Sequence, residues 1–262
     1  MRILITNDDG INAEGLEVLT EIAADVAGAD GEVWTVAPAV EMSGVGHCIS
    51  YLKPAMIHEL GARRVSVEGT PADCVLAGLH DVMRHAPPDL ILSGVNRGNN
   101  SAENVLYSGT IGAAMEGALQ GVRSIALSQF YGPANGRADD PFEAARKFGA
   151  ETIRRLVASA PWDQEADYKL FYNVNFPPVL GRDVKGIAAA TQGYRRDINF
   201  GVKPETSPNG RRYLWIHGGP QQDKTAPGSD ACLNIEGYVS VTPLRADLTS
   251  HADMGALAEA LK

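Results

Sequence analysis

The first ten residues, MRILITNDDG, constrain this chain most. Arg2 to Thr6 is an apolar run without polar alternation, which predicts a short strand buried on both faces, as in the middle of a parallel sheet. At its carboxyl end stand Asn7, Asp8, Asp9 and Gly10. Open α/β sheets bind their ligands just beyond the carboxyl ends of the strands. Two adjacent, partly desolvated carboxylates repel each other unless they share a proton or flank a cation. The same residues also form an ordinary turn, since Asn and Asp bond their own backbone and Gly supplies positive φ. The residues alone leave both readings open.

The rest of the chain supports an α/β sheet. Leu16, Leu19, Ile22, Ala23 and Val26 recur at helical spacing between residues 13 and 27, and Gly28 ends the run. EVWTVA, 32–37, is the next strand, so the unit is a right-handed βαβ crossover, and the loop AVEMSGVGHC, 39–48, emerges on the same sheet edge as the two acids. CISY, AMIHEL and RRVSVEG, within 48–68, predict an antiparallel excursion. Thr70-Pro71 opens a helix through Val82, and DLILSG, 89–94, is a buried strand. Further strands are expected at 123–129, 168–177 and 237–244, with helices from Ile111 to about Gln120 and from Pro141 to about Ala158. Beyond residue 180 the alternation weakens. Asn209-Gly210 marks a hairpin whose arms, YRRDINFGV and RRYLWIH, mix Arg with aromatics, and residues 251–262 form a short helix. The expected domains are a core at 1–180 and an extension at 181–262.

Composition excludes several classes. The net charge of −9 opposes broad nucleic-acid binding, which needs a basic surface, and turns the aromatic-basic hairpin toward a subunit contact. The 262 residues contain no apolar stretch of about 18 that could span a bilayer, and MRILIT runs into acids too soon for a signal peptide. A cytoplasmic location is the default expectation. Cys48, Cys74 and Cys232 form no CxxC pair and read as small core residues, and the six histidines have no metal-site spacing.

Two further loops converge on the acids. SGVNRGNN, 93–100, follows a buried strand and offers Asn96 between two close-approach glycines. Ser108-Gly109-Thr110 precedes an Ala/Gly-rich helix, an arrangement suited to holding a phosphate on unpaired N–H groups, with Thr110 as the simpler alternative of an N-cap. Gly112, Ala113, Ala114 and Gly117 predict close packing of that helix on the sheet. The first turn, NDDGINAEG, lacks GxGxxG and places acids where a pyrophosphate would sit, which opposes a Rossmann-type oxidoreductase.

TNDDG, SGVNRG and YSGTIGAAMEG, together with VAP at 36–38, SGVGH at 43–47, VEGTPADCV at 67–75, NVNFP at 173–177 and GYVSVTPL, resemble the SurE family of stationary-phase survival proteins along nearly the whole chain. The resemblance implies a Rossmann-like three-layer core with a mainly parallel sheet, and a β-rich C-terminal extension that exchanges between subunits of a homodimer or homotetramer. It implies that Asp8, Asp9, Ser43 and Asn96 coordinate one divalent cation per subunit, Mg²⁺ or Mn²⁺. Four oxygen donors suit such a hard ion, and two carboxylates balance its charge. It also implies hydrolysis of nucleoside 5'- and 3'-monophosphates, with short polyphosphate as a further substrate class. Asp8 or Asp9 would handle the attacking water, and Asn96, Ser108, Gly109 and Thr110 would meet the phosphate. Ser229 departs from the Thr common in relatives and removes no ligand. The rival expectation is a nucleotide-sensing module without chemistry.

Overall fold

The computed structural model describes residues 1–162, 165–196, 200–223 and 225–262. Its strands in chain order are β1 (Arg2–Thr6), β2 (Glu32–Pro38), β3 (Ile57–Gly61), β4 (Arg64–Val67), β5 (Leu90–Arg97), β6 (Ser124–Gln129), β7 (Phe171–Phe176), β8 (Gly186–Ala189), β9 (Gly201–Thr206), β10 (Arg212–His217) and β11 (Tyr238–Leu244). The helices are α1 (Glu14–Ala27), α2 (Pro71–Ala77), α3 (Gly109–Leu119), α4 (Glu143–Ser159), α5 (Asp230–Ile235) and α6 (Met254–Ala260).

Nine strands form one sheet in the order β3-β4-β2-β1-β5-β6-β7-β11-β8. The run from β4 to β7 is parallel, while β3 and β11 enter antiparallel. The chain leaves β1 toward β2 on one side and returns to β5 on the other, so β1 and β5 flank a topological switch point. β1 explains the layering. Successive side chains alternate in face, so Ile3 and Ile5 enter one apolar cluster with Leu16, Leu19 and Ile153 of α1 and α4. Leu4 enters the opposite cluster with Cys74, Val75 and Ala113 of α2 and α3. The α/β expectation with a mainly parallel sheet holds. The sheet draws β8 and β11 from beyond residue 180, and α5 packs against β11.

Local departures have physical reasons. Residues 48–51 form no strand. Cys48 is exposed there, against the core reading, while Cys74 and Cys232 are buried. Thr70 closes a capping box with Asp73, yet α2 ends at Ala77 and one π-helical turn carries the chain to Val82. α4 begins at Glu143 rather than at Pro141, and in the turn before it Asp140 Oδ1 accepts the Phe142 N–H. β9 and β10 form a separate two-stranded sheet with Val202, Leu214, Trp215 and Ile216 exposed. Of the predicted first arm, 194–202, residues 197–199 lie outside the described residues, and among the described ones the strand begins at Gly201. Among the described residues, no helix is long and apolar enough to cross a membrane.

The small residues of α1 set how close the helix comes to the sheet. A Cβ on Gly15 would lie 2.0 Å from the Val95 carbonyl oxygen and 3.3 Å from the Phe142 ring. Gly15→Ala is therefore expected to lower stability by about 1–3 kcal/mol through overpacking. The shift of the urea unfolding midpoint measures it.

Candidate active site

Asp8 ends the buried stretch that begins in β1 and is itself 4% exposed. Its Oδ1 accepts a hydrogen bond of 2.6 Å from the Thr110 hydroxyl, and its carbonyl oxygen accepts the Met42 N–H at 2.7 Å. A carboxyl taken out of water favours its neutral form. Burial accordingly pushes Asp8 up to about 6; the Thr110 hydroxyl pulls it back, and the Asp9 charge adds to the rise. Asp9 is half-buried, and its Oδ2 accepts the Arg97 N–H at 3.0 Å. Burial raises its pKa too, against the pull of that N–H.

β5 brings Asn96 to the same edge, since Thr6 pairs with Ser93 in register. The Asn96 amide nitrogen donates to the Gly98 carbonyl at 2.9 Å, which leaves the amide oxygen as the end not committed to that bond. Gly94 is required in the turn between them. Its φ is +134°, and a Cβ would lie 2.1 Å from the Leu127 carbonyl oxygen. The 39–48 loop crosses above, tied down by the Met42 bond to Asp8 and by a Gly46 N–H bond of 2.9 Å to the Tyr107 carbonyl. Ser43 is exposed on this loop, with its hydroxyl donating to Glu41 Oε1 at 2.8 Å.

The third loop departs from its simplest reading. Ser108, not Thr110, is the N-cap of α3, with its Oγ accepting the Ile111 N–H at 3.1 Å. Thr110 lies inside the first turn, where its hydroxyl proton is committed to Asp8. A Cβ on Gly109 would come within 2.9 Å of Asp8 Cβ, so only glycine lets the helix start this close to the acid. The positive end of α3 thus faces Asp8. Gly117 packs on the sheet as expected, where a Cβ would meet Ser124 Oγ at 2.3 Å. Gly112 instead seats the 39–48 loop, with a Cβ 2.4 Å from the Gly46 carbonyl oxygen.

The side chains expected to hold a cation, Asp8, Asp9, Asn96 and Ser43, all offer oxygen, and burial disfavours both acids as anions, so their chemistry fits a hard divalent cation; the structure brings Asp8, Asp9 and Asn96 to one edge, while Ser43 is bonded to Glu41 on the loop. Asn7 Oδ1, just past β1, and Ser93 Oγ, within β5, are buried and have no hydrogen-bond partner among the described residues. Among those residues no group of three or more His, Cys, Asp or Glu forms a metal cluster. A cleft of about 220 Å³ opens beside Asp9, lined by Glu14, Glu41, Arg97 and Phe142. A second, of about 370 Å³, lies on the far side of the 96–98 turn, lined by Gly98, Asn99, Asn104, Phe130 and Tyr131. Tyr131 stacks edge-on against Phe142 at 5.6 Å between the two. Sequence reasoning missed the Arg97 amide on Asp9 and the Thr110 hydroxyl on Asp8. Neither a backbone donor nor a hydroxyl 102 residues away leaves a local signal.

The comparisons with known proteins agree with one another. The family model "Survival protein SurE" matches residues 3–199. A protein of Roseobacter denitrificans, named 5'-nucleotidase SurE, is 65% identical over 258 residues, covering 98% of both chains. One of Ruegeria pomeroyi with the same name is 64% identical over the same span. The crystal structure of the SurE protein from Aquifex aeolicus superposes with a TM-score of 0.80 at 32% identity and covers 100% of both chains.

The Asp8 environment gives a stability prediction. A carboxyl raised from 3.8 to about 6 contributes stability that is present at low pH and is lost as pH rises through about 6. Asp8→Asn keeps an acceptor for Thr110 and removes this loss, so without divalent cation its unfolding free energy at pH 8 is expected to exceed that of the wild type, by up to about 3 kcal/mol. At pH 4 the two should be nearly equal. Denaturant titrations at the two pH values provide the comparison.

Proposed function

The chain belongs to the SurE family, and on that premise we propose that it is a metal-dependent phosphomonoesterase that hydrolyses nucleoside 5'-monophosphates to nucleoside and phosphate. Asp8 and Asp9, paired at the switch point beside Asn96, carry this reading. Nucleoside 3'-monophosphates and short polyphosphate are further substrates of the same phosphoryl chemistry. Asp8, Asp9, Ser43 and Asn96 would hold one Mg²⁺ or Mn²⁺. When bound, the cation polarises a phosphoryl oxygen and acidifies a water.

The remaining work falls to the chain. Asp9, exposed on one side to the 220 Å³ cleft, orients the attacking water and receives its proton. Asp8 is held by Thr110 as a fixed anion. The first turn of α3, Ser108 to Thr110, borders the phosphate and offers the Gly109 N–H, the helix dipole and the Ser108 hydroxyl proton, since Ser108 Oγ only accepts in its cap bond while the Thr110 proton is committed to Asp8. The neutral amide of Asn96 approaches the phosphate without repelling it. Tyr131, which lines the 370 Å³ cleft and is backed edge-on by the buried Phe142, gives a nucleoside a face to stack on. Ser43 reaches the site by giving up its bond to Glu41, which is exposed and weakly held.

The exposed apolar side chains of β9 and β10 support subunit contacts through the 181–262 extension, as a homodimer or homotetramer. An isolated hairpin is marginally stable, so its strands need a partner surface.

Release of phosphate from AMP should require Mn²⁺ or Mg²⁺ and stop with chelator. Asp9→Asn should lower kcat by at least about 100-fold and raise the cation concentration needed for half-maximal rate. Phosphate release from AMP unaffected by chelation, or full turnover in Asp9→Asn at limiting Mn²⁺, would falsify the assignment.

A further inference from the structure

Between Asn96 and Ser108 the chain makes an irregular loop, and its middle is gripped by residues about a hundred positions later. Arg195 is 2% exposed. Its Nη1 donates to the Ser101 carbonyl at 3.2 Å and to Glu103 Oε1 at 3.0 Å. Its Nη2 donates to Ser101 Oγ at 2.9 Å and to Asn99 Oδ1 at 3.2 Å, and its own backbone N–H donates to Glu103 Oε2 at 3.1 Å. One planar guanidinium thereby holds three residues of the loop at once, a geometry that a lysine cannot reproduce.

The grip coincides with a conformation that needs one. Ala102 has φ +55°, the only positive φ outside glycine among the described residues. Its N–H donates to Asp230 Oδ2 at 3.0 Å, and its carbonyl accepts the Gln192 side chain at 3.0 Å. Asp230 is fully buried and also accepts the Gly193 N–H at 2.8 Å, which ties the two C-terminal segments into one unit.

A continuous path leads from this clamp to the acids. The Ser101 carbonyl that Arg195 holds also accepts the Asn104 N–H at 3.2 Å. The Asn104 carbonyl accepts the Ser108 N–H at 3.2 Å, Ser108 caps α3, and Thr110 two residues on holds Asp8. On the other side, the Asn104 amide reaches the Asn99 carbonyl at 3.4 Å, three residues after Asn96.

We propose that Arg195, with Gln192 and Asp230, is a positioning clamp that fixes the 99–104 loop and thereby sets Asn96 and the first turn of α3 relative to the acids. None of the three touches the reacting atoms. The hydrolytic consequence rests on the function proposed above; the clamp itself does not.

The test uses the full chain carrying Arg195→Lys and, as a milder variant at an exposed side chain, Gln192→Ala. Amide hydrogen exchange should quicken about 10-fold or more across 99–108 and stay unchanged in β1, β5 and β6. For AMP hydrolysis with Mn²⁺, Arg195→Lys should lower kcat about 10-fold with KM within about threefold, because misplacement costs the transition state more than binding. Adding Ala102→Gly should restore part of that kcat, since glycine holds the positive φ without help. Wild-type exchange across 99–108 in both variants overturns the clamp. So does quickening that spreads through the sheet, which would mean a general structural role. If the wild-type protein releases no phosphate from AMP, the hydrolytic reading falls, and the exchange pattern still decides the clamp.

Discussion

Keeping the Asp8 carboxyl out of water is the constraint from which the rest of the site follows. A buried carboxylate is costly unless strong donors surround it. The chain supplies a hydroxyl from Thr110, the backbone of the α3 first turn and the positive end of that helix. For Thr110 to reach Asp8, α3 must begin almost in contact with the end of β1, and the absence of a side chain at Gly109 makes that possible. Docking the far end of the helix equally close requires Gly117, which lies against Ser124 and Ile91. Gly109 and Gly117 of α3 thus meet the packing requirement of one acid, while Gly112 seats the 39–48 loop.

Asp9 is held differently, and the contrast divides the labour between two adjacent acids. It faces a cleft, is only half-buried, and takes its N–H from Arg97 at the end of β5. Asp8 is fixed by side-chain and helix contacts on the other side of β1. The pair therefore spans the switch point, one acid leaning on α3 and the other on β5. A parallel sheet with reversed winding creates such a crevice between neighbouring strands, and here both acids stand on the β1 side, with Asp9 bonded across to the Arg97 N–H of β5.

Much of this was legible in the sequence. Apolar runs such as those at 2–6 and 89–94 announced strands buried on two faces, the second of which extends to Arg97, and Thr70-Pro71 announced a helix start that the capping box bears out. The loops bearing Asp8, Asp9 and Asn96 converge as the winding rules require. What stayed hidden depends on contacts distant in sequence. Ser108 and Thr110 both carry hydroxyls beside a helix start, and only the position of Asp8 decides which one caps. Cys48 is small and apolar like its buried counterparts, yet the loop that carries it runs over the surface. Arg195 sits among aromatics in a stretch that reads as a surface arm, and its burial is explained by Glu103, 92 residues earlier.

The burial of Arg195 and Asp230 bears on how the two parts of the chain divide their roles. An ion pair excluded from water seldom adds net stability, because desolvation offsets attraction. Hydrophobic side chains could fill the same space at lower cost. What they could not do is bond the carbonyl and hydroxyl of Ser101, the amide oxygen of Asn99 and the N–H of Ala102 in a fixed geometry. The adjoining buried amides behave alike: Asn100 is bonded by Asn173, Asn175 and Ser128, and Asn234 reaches the Asn175 carbonyl. A buried polar network with this many directed bonds specifies one backbone path where an apolar filling would tolerate several. The C-terminal segments accordingly do more than extend the sheet, since they determine the shape of the loop between two parts of the site.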